Sequence, residues 1–145
     1  MVSSAAVVAE LYDRVWSKGD YGAIERLVAN PYIIHSDPGD AWEGQALDNR
    51  TYQERVQYSR SAFPDLVFTI HETVGTGNRI AVRWSAAGTH AGDLRFAPGQ
   101  RLRELAATGK YLTFGGQTIY EITHGRVAGH WQVVDRLGFL EQLRP

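Results

Sequence analysis

At 145 residues, with 43% apolar and 21% charged side chains and a net charge of −1, the chain has the makeup of an ordinary globular protein with one real core. Its mixed charge argues against nucleic-acid or anionic-membrane partners, and the absence of cysteine excludes disulfides, thiolate metal sites and thiol catalysis. No basic N-terminal region precedes an apolar run, and no apolar stretch approaches about 18 residues, so a cytoplasmic protein without a membrane span is expected.

Ser3 or Ser4 can cap a first helix, in which Val7, Val8, Leu11, Tyr12, Val15 and Trp16 recur at i, i+3, i+4 spacing. Lys18 and Gly19 supply its stop signal. Asp20 can cap a short second helix over 21–28, with Pro31 just beyond, and 32–35 reads as a short strand. Ser36-Asp37-Pro38-Gly39-Asp40 is a turn cluster. A third helix is expected from Thr51, where Thr51-x-x-Glu54 forms a capping box; Tyr52, Val56, Ser59 and Phe63 face inward, Arg55 lies on the edge, and Pro64 ends it.

From there the pattern is sheet. Strands over 66–74 and 79–87 flank Gly75-Thr76-Gly77-Asn78. A Gly-, Pro- and Arg-rich loop follows to Lys110, with one helical turn expected over 102–107. A long hairpin then pairs 111–123 with 126–135 around His124-Gly125, and Asp135 can cap a terminal helix over 136–143. With no repeat, linker or low-complexity tract, one domain over 1–145 is expected. Helices followed by mostly antiparallel strands make an α+β layout, with helices on the concave face of a curved sheet and a cavity open at one end.

The last hairpin carries the functional signal. A two-residue turn would set Gln117 opposite Gln132. A three-residue turn with Gly125 left-handed would oppose Thr118 to Gln132 and Tyr120 to His130, gathering four polar side chains on one face as a pocket wall. Ile119, Trp131 and Val133 then lie on the other face, an apolar patch suited to a homodimer interface. Eleven per cent aromatic residues, with four Trp and seven Tyr, also suits a flat-ligand cavity or a dimer.

Five segments taken in order resemble one family: Ala62-Phe63-Pro64-Asp65-Leu66, Val82-Arg83-Trp84, Gly88-Thr89-His90-Ala91-Gly92, Gly125-Arg126-Val127, and His130-Trp131 followed by Asp135-Arg136-Leu137-Gly138. They resemble the SnoaL-like polyketide cyclases, of the NTF2-like (cystatin-like) α+β fold. The resemblance implies an intramolecular aldol ring closure without metal or cofactor. It implies an acid/base Asp two residues after the first His of His130-Trp131, a helping His on the partner strand, a Tyr on the first helix and an Asn on the third. Those positions are Gln132, Thr118, Trp16 and Arg55 here, so none of the four residue types is kept. Gln132 cannot exchange a proton near neutral pH, so the fold carries over and that mechanism does not. Relatives lacking the Asp include cofactor-independent hydroxylases, which keeps hydroxylation open beside cyclisation.

His130 is then the leading proton carrier, or a neutral core histidine bonded to Tyr120 or backbone. Asp135 is a second base if a bulge turns it inward, or simply a helix cap. Gln132, with Tyr120, would hold a carbonyl or enolate oxygen. Arg55 would clamp a substrate carboxylate or stay exposed, and Arg83 would enter an internal ion pair. His90 would gate the mouth or stabilise its turn. Trp16, Tyr12, Tyr52, Phe63 and Trp84 are core residues of which some line the cavity. His35, His71 and His124 lack ligand spacing, so no metal is expected. The reading is an apolar, ring-bearing ligand undergoing cofactor-free enolate chemistry; a non-catalytic ligand-binding or assembly domain is the alternative.

Overall fold

The computed structural model describes residues 3–95 and 104–143. Ser3 caps helix α1 (Ser4–Glu10), its hydroxyl accepting the Ala6 amide at 3.1 Å and so satisfying one unpaired N–H of the first turn. Over Leu11–Ser17 the chain widens into a π-helix where an α-helix is expected. Leu11 and Val15, like Tyr12 and Trp16, stand four apart, and the wider turn keeps such pairs on one inward side. Asp20 makes no side-chain cap; its carboxylate takes Arg14 instead. A 3-10 turn, Tyr21–Ala23, leads into α2 (Ile24–Leu27), which stops early because Val28 already belongs to strand β1 (Val28–Ser36).

β1 pairs antiparallel with β2 (Ala46–Leu47). Helix α3 (Asn49–Ala62) begins ahead of Thr51, because Asp48 takes the cap and accepts the Thr51 amide at 2.8 Å. β3 (Val67–Thr76) and β4 (Arg79–Thr89) run longer than expected, so Gly77 and Asn78 alone make their turn, with Gly77 at φ +56°. β5 (Leu94–Arg95) and β6 (Glu104–Leu105) form a small separate ribbon. The helical turn expected over 102–107 lies partly outside the described residues, and Glu104 and Leu105 within it are strand. β7 (Tyr111–Thr123) and β8 (Arg126–Val134) complete a sheet of order β2-β1-β8-β7-β4-β3, antiparallel except where β1 meets β8. Asp135 caps α4 (Arg136–Glu141), its carboxylate accepting the Gly138 amide at 2.9 Å.

The β7–β8 register sets Thr118 against Gln132 and Tyr120 against His130. Its cause is not the three-residue turn expected. His124 at φ 50° and Gly125 at φ 75° form a tight turn with two left-handed residues, which alone would pair Gln117 with Gln132. Ala128 is then bulged out between the Glu121–Gly129 and Ile122–Val127 pairs, and that one extra residue moves the register onto Thr118.

The core lies between the concave sheet face and the helices. Ile80, Val82, Ala86 and Leu112 pack there with Val8, Leu11, Val15 and Val56, all buried. Each Val, Leu or Ile among them stabilises the fold by about 1.5–3 kcal/mol before the entropy of ordering it. On the convex face Val74, Ile119 and Val133 are 63%, 45% and 68% exposed. Trp131 lies there between the His35 ring, stacked at 4.2 Å, and the Arg79 guanidinium at 4.9 Å. Arg83 pairs with Glu72 at 3.3 Å, but on this exposed face rather than inside. No helix among the described residues is long and apolar enough to cross a membrane.

Candidate active site

A cavity of about 200 Å³ opens between the helices and the concave face. Its walls are aromatic: Trp16 meets Phe68 edge-on at 5.8 Å and Tyr52 at 6.2 Å, and Phe68 meets Trp84 at 5.1 Å. Trp84 crosses to this position over Gly116, where a Cβ would stand only 2.7 Å from its Cζ2.

A directed chain of hydrogen bonds starts at Trp84, whose Nε1 donates to Thr118 Oγ1 at 2.9 Å. The Thr118 hydroxyl must then spend its hydrogen elsewhere, and it donates to Gln132 Oε1 at 2.7 Å. That orients the amide, so Gln132 Nε2 donates to Asp37 Oδ2 at 3.1 Å. The same Asp37 oxygen accepts from Arg55 Nη2 at 3.1 Å and faces His130 Nε2 at 2.9 Å. The other ring nitrogen of His130, Nδ1, lies 2.5 Å from the Tyr32 hydroxyl. Asp37, His130 and Tyr32 are each at most 2% exposed.

Arg55 also donates to Asp40 Oδ2 through Nε at 3.2 Å and Nη2 at 3.0 Å, with its guanidinium 5.3 Å from the Trp16 ring. Burial works against its charge, but the Asp40 and Asp37 carboxylates override it and hold Arg55 firmly protonated. Burial likewise opposes the Asp40 charge, and Arg55 overrides it, leaving Asp40 below the ordinary carboxylate value. Burial pushes His130 down; the bond to Asp37 resists and the charge of Arg55 adds to the fall, so the imidazole is neutral at pH 7. Burial raises the Tyr32 hydroxyl well above the ordinary tyrosine value and pushes Tyr52 up to about 12.

Of the residues expected at the site, His130, Gln132, Tyr120, Trp16, Tyr52, Trp84 and Arg55 line this one cavity, and Thr118 stands one hydrogen bond behind it. Arg55 departs from expectation, being buried rather than on an exposed edge because Asp37 and Asp40 fold over it. His130 bonds Tyr32 and Asp37, not Tyr120, whose hydroxyl donates to Tyr12 at 2.8 Å. Asp135 is outside the cavity lining: no bulge turns it inward, and its carboxylate is committed to the α4 cap. His90 does not gate the mouth; it is buried away from the lining, stacked on Phe63 at 5.5 Å and bonded through Nδ1 to Thr108 at 2.9 Å.

Asp37 and Tyr32 are the residues that sequence reasoning passed over. The available signal was a strand carrying Tyr32 that ends directly on an acid, with a His-x-Gln strand elsewhere able to lie beside it. Among the described residues, no group of three or more His, Asp or Glu side chains is placed to hold a metal ion.

The SnoaL-like polyketide cyclase profile matches residues 6–143. The chain is 37% identical to a candidate polyketide cyclase from Acidithiobacillus ferrooxidans, whose crystal structure superposes with a TM-score of 0.84 over 99% of this chain and 98% of that one. It is 27% identical to IdmH, a candidate polyketide cyclase from Streptomyces antibioticus, with a TM-score of 0.74 over 96% of each chain. AclR, a candidate hydroxylase from Streptomyces galilaeus, shares the fold at 20% identity and a TM-score of 0.72, over 96% of this chain and 79% of that one. Among curated proteins none matches. With the curved α+β sheet and its helices, these likenesses establish an NTF2-like fold, and the chain belongs to the SnoaL-like polyketide cyclase family.

Proposed function

We propose that the cavity binds an apolar, ring-bearing small molecule of polyketide type and closes a ring in it by aldol chemistry, without metal or cofactor. The observation that carries this reading is His130, a neutral titratable group at the polar end of an aromatic cavity, with both ring nitrogens held in fixed hydrogen bonds. A base near neutrality removes a proton beside a ketone, the enolate carbon attacks a second carbonyl, and the proton returns to the new alkoxide. Such acid/base help is worth about a hundredfold to ten-thousandfold. Gln132 Nε2 spends one hydrogen on Asp37 and keeps a second for the enolate oxygen. The cyclase names of the relatives at 37% and 27% identity point the same way.

One observation favours the non-catalytic alternative: His130 is already satisfied on both nitrogens, as a purely structural histidine would be. The reading also has the protein acting as a homodimer through the convex face, where Ile119 and Val133 are exposed.

Trp16, Trp42 and Trp84 all line the cavity, so their fluorescence reports occupancy. Titration with a tricyclic aromatic keto methyl ester, followed by a single-turnover product assay, tests the proposal. Quenching with cyclised product, and loss of product but not of quenching in His130→Gln, is the expected result. Quenching without product in the native protein would leave a binding domain, and neither would overturn both readings.

A further inference from the structure

Resting on that reading of the cavity, we infer that Tyr32 is the group that meets the substrate's proton, as the outer member of a relay running Tyr32–His130–Asp37. The directions of the hydrogen bonds argue for it. Arg55 has only donors, and the chain from Trp84 through Thr118 forces Gln132 to present a donor too, so Asp37 Oδ2 is an acceptor for both. That oxygen therefore also accepts the Nε2–H of His130 at 2.9 Å. A neutral imidazole with its hydrogen on Nε2 has a lone pair on Nδ1, and this takes the Tyr32 O–H at 2.5 Å. The hydroxyl hydrogen of Tyr32 thus points at the ring. Its oxygen lone pairs are left for the cavity that Tyr32 lines.

An acidic C–H beside the substrate carbonyl gives its proton to the Tyr32 oxygen as the Tyr32 hydrogen passes to His130 Nδ1. The C–H electron pair stays with the substrate as the enolate. His130 becomes an imidazolium, donating to Asp37 through Nε2 and to Tyr32 through Nδ1. The enolate carbon then bonds to the second carbonyl carbon, the carbonyl π pair moves to oxygen, and the alkoxide takes a proton from Tyr32 while His130 returns its own. One C–H bond is exchanged for one C–C and one O–H bond at the expense of a carbonyl π bond, with nothing gained from solvent. Burial makes a free Tyr32 phenolate inaccessible, so both transfers at Tyr32 are concerted. Asp37 is outside the cavity lining and touches no substrate; it is a positioning residue that fixes the His130 tautomer.

The relay is tested by deuterium uptake at the α-carbon of the same tricyclic keto methyl ester in heavy water, with the buffer rate subtracted. Tyr32→Phe keeps the ring and removes one oxygen; it should bind the ester with the native fluorescence change yet exchange at least about a hundredfold more slowly. Asp37→Asn should lower kcat with KM little changed and move the His130 titration to lower pH. Exchange in folded Tyr32→Phe within a few-fold of native would overturn the relay and leave His130 acting directly. A native protein that binds the ester but neither exchanges its α-proton faster than buffer nor yields cyclised product would overturn the enolate reading itself, and the relay with it. Independently of any variant, nitrogen-15 spectra of the native protein should show His130 neutral with its hydrogen on Nε2; a hydrogen on Nδ1 contradicts the relay.

Discussion

Asp37 Oδ2 stands 3.1 Å from the side-chain nitrogen of Gln132. Family resemblance leads one to look for a carboxylate at position 132 on β8, and the glutamine there looks like a lost acid. A carboxylate nevertheless reaches that place from just beyond the end of β1, because β1 lies parallel to β8 with Ile34 opposite His130 and Ser36 opposite Trp131.

Gln132→Asp should therefore not restore an acid to an empty slot. It would set a second carboxylate beside Asp37 and remove the acceptor amide from Thr118, and two carboxylates at hydrogen-bond distance cannot both ionise cheaply. The raised carboxyl makes its stability contribution at low pH and loses it as pH rises through the raised value. The variant should melt below the native protein at pH 8, with the gap closing toward about pH 4. An equal gap at both pH values would show that the two carboxyls do not share a site.

How far this site was legible depends on which contacts build it. The gathering of Thr118, Tyr120, His130 and Gln132 on one face follows from strand alternation plus register, both local to one hairpin, although a bulge at Ala128 sets the register rather than the turn. Asp37 sits in a Ser-Asp-Pro-Gly-Asp cluster whose composition is that of a solvated turn, and only the long-range β1–β8 pairing buries it. Arg55 reads as a helix edge by helical periodicity and becomes interior because that same turn closes over it. Asp135 was ambiguous between a base and a cap, and the Gly138 amide decides it.

Arg55→Met removes the guanidinium that bridges Asp37 and Asp40. Stranding buried carboxylates costs about 3–5 kcal/mol, so urea unfolding at pH 7 should show a loss of that size. The Asp40 pairing, which depresses its folded value, stabilises above the ordinary Asp range and is lost as pH falls through the depressed value. The native protein should lose stability on acidification below about pH 4, and the variant should lose less. Equal acid sensitivity would contradict the pairing.

Charge at the polar end bears on the substrate. Arg55 is shared between Asp37 and Asp40 beside a neutral imidazole, so it has no charge to spare for a substrate carboxylate. A neutral keto ester should quench the cavity tryptophans at least about tenfold more tightly than its free acid at pH 7.5, a difference of about 1.4 kcal/mol. Tighter binding of the acid would mean that Arg55, or Arg95 or Arg136 of the same lining, receives the carboxylate.

The convex face should hold two copies together. Sedimentation at micromolar concentration should give about twice the 16.2 kDa of one chain. Val133→Glu, at a position 68% exposed, should give the single-chain mass without unfolding. A native protein of single-chain mass would remove the dimer from the account.

The central claim is that His130 in its neutral form moves the substrate proton, and the pH profile of α-proton exchange in the tricyclic keto ester tests it most directly. Burial and Arg55 hold His130 below the ordinary histidine value of about 6.5. The enzyme-dependent rate should rise to a plateau with a midpoint below that value, and His130→Gln should fall to the buffer rate throughout. A midpoint above it, a rate that falls as pH rises, or native exchange in His130→Gln would contradict the claim.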